Sequence, residues 1–199
     1  MTGMPHSADK YTSRRLVLRG WGSEEEVMRF ADEGNFELLQ DESSDMENGI
    51  VRDVIWRITP GILLQYAVDS RSKCSVFTLT GTPAEDVKGI AESIEKGVHP
   101  WTLEELLSGV DRSKGAQEIY DAVLRAGIGA PHEFDKRFYK RIRKAVRNKD
   151  ATIRSAGIWA ASYSRWEEFR PDLEAAARND PEPTLRRDAQ VILDNYSGS

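Results

Sequence analysis

The chain has 199 residues, 39% of them hydrophobic and 31% charged, with five Trp, six Phe and a formal net charge of −5. That composition is too apolar and aromatic for a disordered chain, and the length suits one large domain or two small ones. A single cysteine excludes an intrachain disulfide or a multi-cysteine metal site, and with no apolar run near the roughly 18 residues of a membrane span and no signal-like apolar start, a cytoplasmic protein without a membrane partner is expected.

Residues 1–12 are polar and unpatterned and read as a flexible arm. Arg15–Arg19 looks like a first strand. Ser23 and Glu26 form a capping box that opens a short helix, with Val27, Phe30 and Ala31 on one face and Gly34 at its end. Phe36–Gln40 reads as a second strand. An acidic loop follows over Asp41–Gly49. Three further strands are expected over Ile50–Thr59, Ile62–Val68 and Cys74–Thr80, joined by hairpins at Pro60-Gly61 and Asp69–Lys73. In the first of these, Ile50, Arg52, Val54, Trp56 and Ile58 alternate with Val51, Asp53, Ile55 and Arg57, which gives a strand with one mainly apolar face.

Thr82-Pro83 begins a helix with Thr82 as N-cap, an apolar stripe of Val87, Ile90, Ala91 and Ile94, and Gly97 at its end. Thr102 and Glu105 form a second capping box ahead of a helix running through Leu107. Residues 13–113 are thus expected to form an α+β domain with a mostly antiparallel sheet. From there the pattern is helical: Ala116–Arg125, Glu133–Asn148, Ala151–Tyr163, Trp166–Arg178 and Pro183–Tyr196, with Pro171 inside the fourth near its start. Short connections make these antiparallel neighbours.

The helical part repeats itself. The segment Arg147–Arg154 returns as Arg178–Arg186, the Arg-Asn pair after 31 residues and the Thr-aliphatic-Arg triplet after 32. A period in the thirties with two helices per period marks a helical solenoid unit. Ile153-Arg154 followed by Gly157 and Ala160, then Leu185-Arg186 followed by Ala189 and Ile192, resembles HEAT-like helical repeats. Asp150 and Asp180 stand where an Asp precedes the aliphatic-Arg pair in that family. The resemblance covers about residues 115–197 and implies an all-α short HEAT-like solenoid over residues 114–199, a surface for partners without chemistry of its own.

The halves differ in charge: residues 1–113 hold 12 Lys and Arg against 20 Asp and Glu, and residues 114–199 hold 16 against 13. In the helix 133–148, Phe134, Phe138, Ile142, Ala145 and Val146 recur at core spacing. Lys136, Lys140, Arg143 and Arg147 fall opposite, at 100° per residue, with Lys144 and Lys149 beside them. Such a one-signed face suits an acidic protein partner, a phosphate backbone, a dock on the acidic first domain, or solvent. The overall negative charge argues against a dedicated nucleic-acid binder. Trp166, with Arg165 and Arg170 near it, is an interaction hot spot if exposed and an inter-repeat packing residue otherwise.

The acidic run Asp41–Glu47 lacks the spacing of an EF-hand, and reads as a solvated hairpin tip or a contact for a basic partner. His6, His99 and His132 are far apart, and no metal-binding His pair, phosphate loop or nucleophile elbow occurs. Cys74 reads as a small buried hydrophobe, and Asp53 and Asp69 as exposed strand carboxylates that could approach one another across strands. Trp56 and Trp159 belong to apolar patterns and are expected in the core; Trp21 and Trp101 stand at junctions between elements. The resulting expectation is a non-enzymatic protein-binding module without cofactor or metal: an adaptor, an inhibitor or an immunity-type protein. A nucleic-acid binder using the helix 133–148 is the alternative.

Overall fold

The computed structural model describes residues 10–19, 24–43 and 49–196. The capping residue Ser23, Trp21, His6, most of the N-terminal arm and the acidic tip 44–48 lie outside the described residues. The chain folds as two compact units, residues 1–101 and 102–199.

In the first unit an antiparallel sheet is built from β1 (Tyr11–Thr12), β2 (Leu16–Val17), β3 (Glu37–Glu42), β4 (Ile50–Thr59), β5 (Ile62–Asp69) and β6 (Ser75–Gly81). The strand order is β1-β6-β5-β4-β3, with β2 also paired to β6. Register places Trp56 opposite Leu64 and Leu64 opposite Leu79, while Val54, Tyr66 and Phe77 form the adjacent row. Because side chains alternate along a strand, these rows share one face. They form a core with Val27 and Ala31 of α1 (Glu24–Glu33) and Val87, Ile94 and Val98 of α2 (Ala84–Val98). Burying side chains of this size stabilises the unit by about 1.5–3 kcal/mol each before conformational entropy is counted.

Several local expectations need correction. Pro83 is the N-cap residue of α2, and the helix runs through Gly97 to Val98 before His99 turns left-handed at φ 45°. Asp53 lies opposite Ala67, and Asp69 opposite Ile50. Asp53 accepts a hydrogen bond from Gln65 at 2.8 Å, while Asp69 caps the amides of Arg71 and Ser72. The two carboxylates therefore serve separate local structures. Cys74 is buried just ahead of β6. Trp101 is half-buried, with the Arg19 guanidinium 5.1 Å from its ring and its amide bonded to the Val17 carbonyl, as its junction position suggested.

The second unit contains α3 (Leu103–Arg112), α4 (Ala116–Ile128), α5 (Lys136–Val146), α6 (Ala151–Ser164), α7 (Arg170–Asn179, after a 3-10 turn over Glu167–Phe169) and α8 (Pro183–Tyr196). The reciprocal capping box of Thr102 and Glu105 starts α3 as expected, but α3 packs on α4 and α5 and so belongs to this unit. Pro171 is the second residue of α7, where its missing amide costs nothing. The hairpins α3/α4, α5/α6 and α7/α8 stack in two layers, α3-α5-α7 and α4-α6-α8. Small residues set the spacing: a Cβ added to Gly127 would lie 2.6 Å from the Ala160 Cα, and one on Gly157 would lie 2.3 Å from the Val146 nitrogen.

Two turns of this unit are copies of one another. Arg154 donates to the carbonyls of Asn148 and Lys149 at 3.2 and 3.0 Å; Arg186 donates to those of Asp180 and Pro181 at 2.5 and 3.3 Å. The Asn148 side chain accepts the Asp150 amide at 2.9 Å, and the Asp180 side chain accepts the Glu182 amide at 2.9 Å. The structural period is therefore 32 residues throughout, with Asn148 equivalent to Asp180. The 31-residue match of the Arg-Asn pairs is a coincidence of sequence. Asp150 caps α6 by accepting the amides of Thr152 and Ile153. Asp180, the other Asp expected ahead of an aliphatic-Arg pair, instead binds Arg154 of the preceding hairpin at 2.7 and 2.9 Å.

Candidate interaction surface

The basic helix is α5, the middle member of the α3-α5-α7 layer. Asp135 starts it by accepting the Arg137 amide at 2.7 Å, so the helix is shorter than the expected span 133–148. Phe138, Ile142, Ala145 and Val146 are buried, as their spacing requires. Phe134 is not: it precedes the cap and is 44% exposed.

Six of the eleven residues of α5 are Lys or Arg, and Arg147 and Lys149 follow. The arginines are committed to neighbouring helices. Toward α3, Arg141 forms a bidentate pair with Asp111 at 2.9 and 2.6 Å, and Arg137 pairs with Glu104 as well as with Asp135. Toward α7, Arg143 and Arg147 converge on the two oxygens of Asp172 at 2.9 and 2.6 Å. The Asp172 side chain is only 2% exposed, so the two guanidinium groups neutralise a carboxylate that could not otherwise be buried.

The lysines behave differently. Lys136, Lys140 and Lys144 are exposed and make no hydrogen bond or ion pair among the described residues. They follow one another at four-residue spacing, so they form a ridge rising about 6 Å per step between the two arginine borders. The field is felt nearby: the Arg141 hydrogen bond holds the Asp111 carboxyl below its ordinary range, and the Lys144 charge adds to the effect. Asp135 is likewise held low by Arg137.

Among the expected site residues, then, Lys136, Lys140 and Lys144 form the open surface, whereas Arg143 and Arg147 hold α5 to α7. Arg170 is engaged by Glu167 at 2.8 and 3.2 Å, with its guanidinium 5.7 Å from the Tyr196 ring. Trp166 is 5% exposed. Its ring stacks on Phe169 at 5.8 Å and its indole N–H donates to the His132 carbonyl at 2.9 Å. It packs the α4–α5 connection against the turn ahead of α7 and cannot act as an exposed anchor. Trp159, expected in the core, is only partly buried and donates its indole N–H to Asp188 of α8 at 3.1 Å.

Sequence reasoning missed the acids that face these arginines. Glu104 and Asp111 are seven residues apart, which puts them on one side of α3 and was available as a signal. Asp172 sits in the first turn of α7, where an acid ordinarily complements the helix dipole, so nothing local marked it as buried.

Among the described residues no group of three or more His, Cys, Asp or Glu gathers as a metal site. Open grooves among the described residues of this unit include two of similar size. One, of about 330 Å³, is lined by residues of α3 and α4 including Arg112, Glu118 and Arg125; the other, of about 320 Å³, lies between α7 and α8. Comparison with protein-family models, with curated proteins and with solved structures returns no match to this chain.

Proposed function

We propose that this chain is a non-enzymatic protein-interaction module, an α+β domain joined to a short HEAT-like stack, that binds an acidic partner protein through Lys136, Lys140 and Lys144. The observation that supports this reading is the division of labour on α5. Every arginine of the helix has an acidic partner within the stack, while the three lysines between them form no ion pair among the described residues. Fold stability accounts for the arginines and leaves the lysine ridge unexplained. A ridge of mobile, hydrated ammonium groups suits electrostatic steering of an oppositely charged surface. An adaptor, an inhibitor or an immunity-type protein in the cytoplasm is compatible with such a surface.

Nucleic acid is the second reading, favoured by the regular spacing of the lysines. Three phosphate contacts would give a slope of only about −3 in log affinity against log salt, too few for tight binding at physiological ionic strength. The net charge of −5 opposes it further. Affinity capture from native lysate, with and without nuclease, tests the proposal. A stoichiometric protein retained after nuclease supports it; nucleic acid lost on digestion sinks it in favour of the second reading.

A further inference from the structure

Phe134 is the one aromatic side chain among the strongly exposed large hydrophobics of the described residues. It stands immediately before the α5 cap, at the N-terminal end of the lysine ridge. Its position explains part of its contacts: a residue before the N-cap packs on the fourth helical residue as a hydrophobic staple. The Phe134 and Tyr139 rings accordingly lie 5.5 Å apart. A staple, however, needs only one edge of the ring, and Val or Leu would serve.

The support beneath it is more elaborate. Phe134 meets the edge of Trp166 at 5.4 Å, Trp166 stacks on Phe169, and Phe169 contacts Tyr139 at 5.0 Å, closing a four-ring cluster. Trp166 also fixes the connection before Phe134 through its bond to the His132 carbonyl. Tyr139 in turn lies 5.8 Å from the Arg143 guanidinium, which Asp172 holds. The exposed ring is thus locked from below, and it loses little conformational freedom when covered. A rigid, part-exposed aromatic with charged groups beside it has the make-up of an interface anchor.

We infer that Phe134 and the ridge Lys136–Lys140–Lys144 form one docking site, and that its occupant is an acidic polypeptide segment carrying a bulky apolar side chain. This inference rests on the protein-binding reading above and sharpens it. Charge decides the occupant: three exposed cations in a row, with no ion pair among the described residues, call for carboxylates, and the ring at their end calls for an apolar side chain. The ridge spans about 12 Å, the length of some eight helical residues or four extended ones. A basic or wholly polar segment would satisfy only one end of the site, or neither.

The experiment is selection of a displayed random 16-residue peptide library on the full chain, with counter-selection on Lys140→Glu/Lys144→Glu. Enriched peptides are then measured on wild type, Phe134→Ala and Phe134→Leu, each variant first checked by thermal melting. The site predicts acidic peptides with at least one large apolar residue, weakened about thirtyfold by Phe134→Ala and much less by Phe134→Leu. Acidic peptides indifferent to Phe134→Ala would overturn the anchor and leave the lysine ridge standing. No enrichment of acidic peptides, or binding indifferent to both sets of variants, overturns the site and the protein-binding reading together.

Discussion

Lys140 and Arg141 are neighbours in sequence and opposites in structure. Arg141 is gripped by both oxygens of Asp111, while Lys140 stands exposed with no acid partner among the described residues. The chemistry of the two cations fits the split. A guanidinium presents a planar fork that matches a carboxylate, whereas an ammonium is a hydrated point charge that loses little by remaining in water. The same division holds along all of α5. It separates residues that keep the helical unit together from residues available to a partner.

The two guanidinium groups on Asp172 back each other up. Arg143→Ala or Arg147→Ala alone leaves the buried carboxylate one cation, and each should cost only about 1 kcal/mol, since both side chains are substantially exposed. The double variant strands the charge and should cost about 3 kcal/mol or more, well above the sum. Urea unfolding of the four chains of this cycle gives the coupling directly.

Arg154 and Asp180 behave as a single buried pair, with side chains 11% and 4% exposed. Arg154→Ala should destabilise the helical unit by about 3 kcal/mol. Arg186, its equivalent 32 residues on, donates to the Asp180 and Pro181 carbonyls and forms no ion pair among the described residues, so Arg186→Ala should cost only about 1 kcal/mol. Equal losses in the two thermal melts would contradict this ranking.

Acid should weaken the helical unit in a defined window. In Asp180 burial pushes the carboxyl up, but the bonds from Arg154 and the Glu182 amide outweigh it, and Asp180 joins Asp111 and Asp135 below the ordinary carboxylate range. A carboxyl lowered in the folded state is protonated first in the unfolded chain. Its stabilisation is therefore complete above the unfolded value of about 4 and is lost as pH falls through the folded one. Urea midpoints should be level from pH 7 to about 5 and decline below about 4, with a shallower decline in Asp180→Asn.

Two glycines should respond oppositely to the same change. Gly89 of α2 has open space where a Cβ would go, so Gly89→Ala should stabilise by about 0.5–1 kcal/mol through helix propensity. At Gly157 the added carbon would meet the α5 backbone at 2.3 Å, and Gly157→Ala should destabilise by at least 1–3 kcal/mol, as overpacked cores do. Melting temperatures that shift in the same direction would argue against the α5–α6 spacing.

Much of the fold was legible because local patterns set it. The alternation in Ile50–Thr59 gave β4, and the Thr102–Glu105 capping box gave the start of α3. The Thr-aliphatic-Arg triplet gave the true 32-residue period. What was not legible depended on partners distant in sequence. The acids that hold Arg137, Arg141, Arg143 and Arg147 are supplied by α3, by α7 or by the cap ahead of α5, so the helix looked uniformly basic although its arginines are paired and only its lysines form no ion pair among the described residues. Phe134 had core spacing, but Asp135 caps the start of the helix one residue after it, which leaves Phe134 outside the helix as a part-exposed staple. Trp166 could be read either way, and only the His132 carbonyl and the Phe169 ring decide that it is buried.

The measurement that bears most directly on the central claim is quantitative capture from nuclease-treated native lysate, comparing wild type with Lys140→Glu/Lys144→Glu. Both chains should melt within a few degrees of one another: the lysines form no ion pair among the described residues, and only the charge of Lys144 beside Asp111 is lost from the fold. We expect the wild type to retain a stoichiometric acidic protein that the charge-reversed chain loses, with retention falling as salt rises. The same protein bound equally well by both chains would contradict the assignment of the lysine ridge as the binding surface.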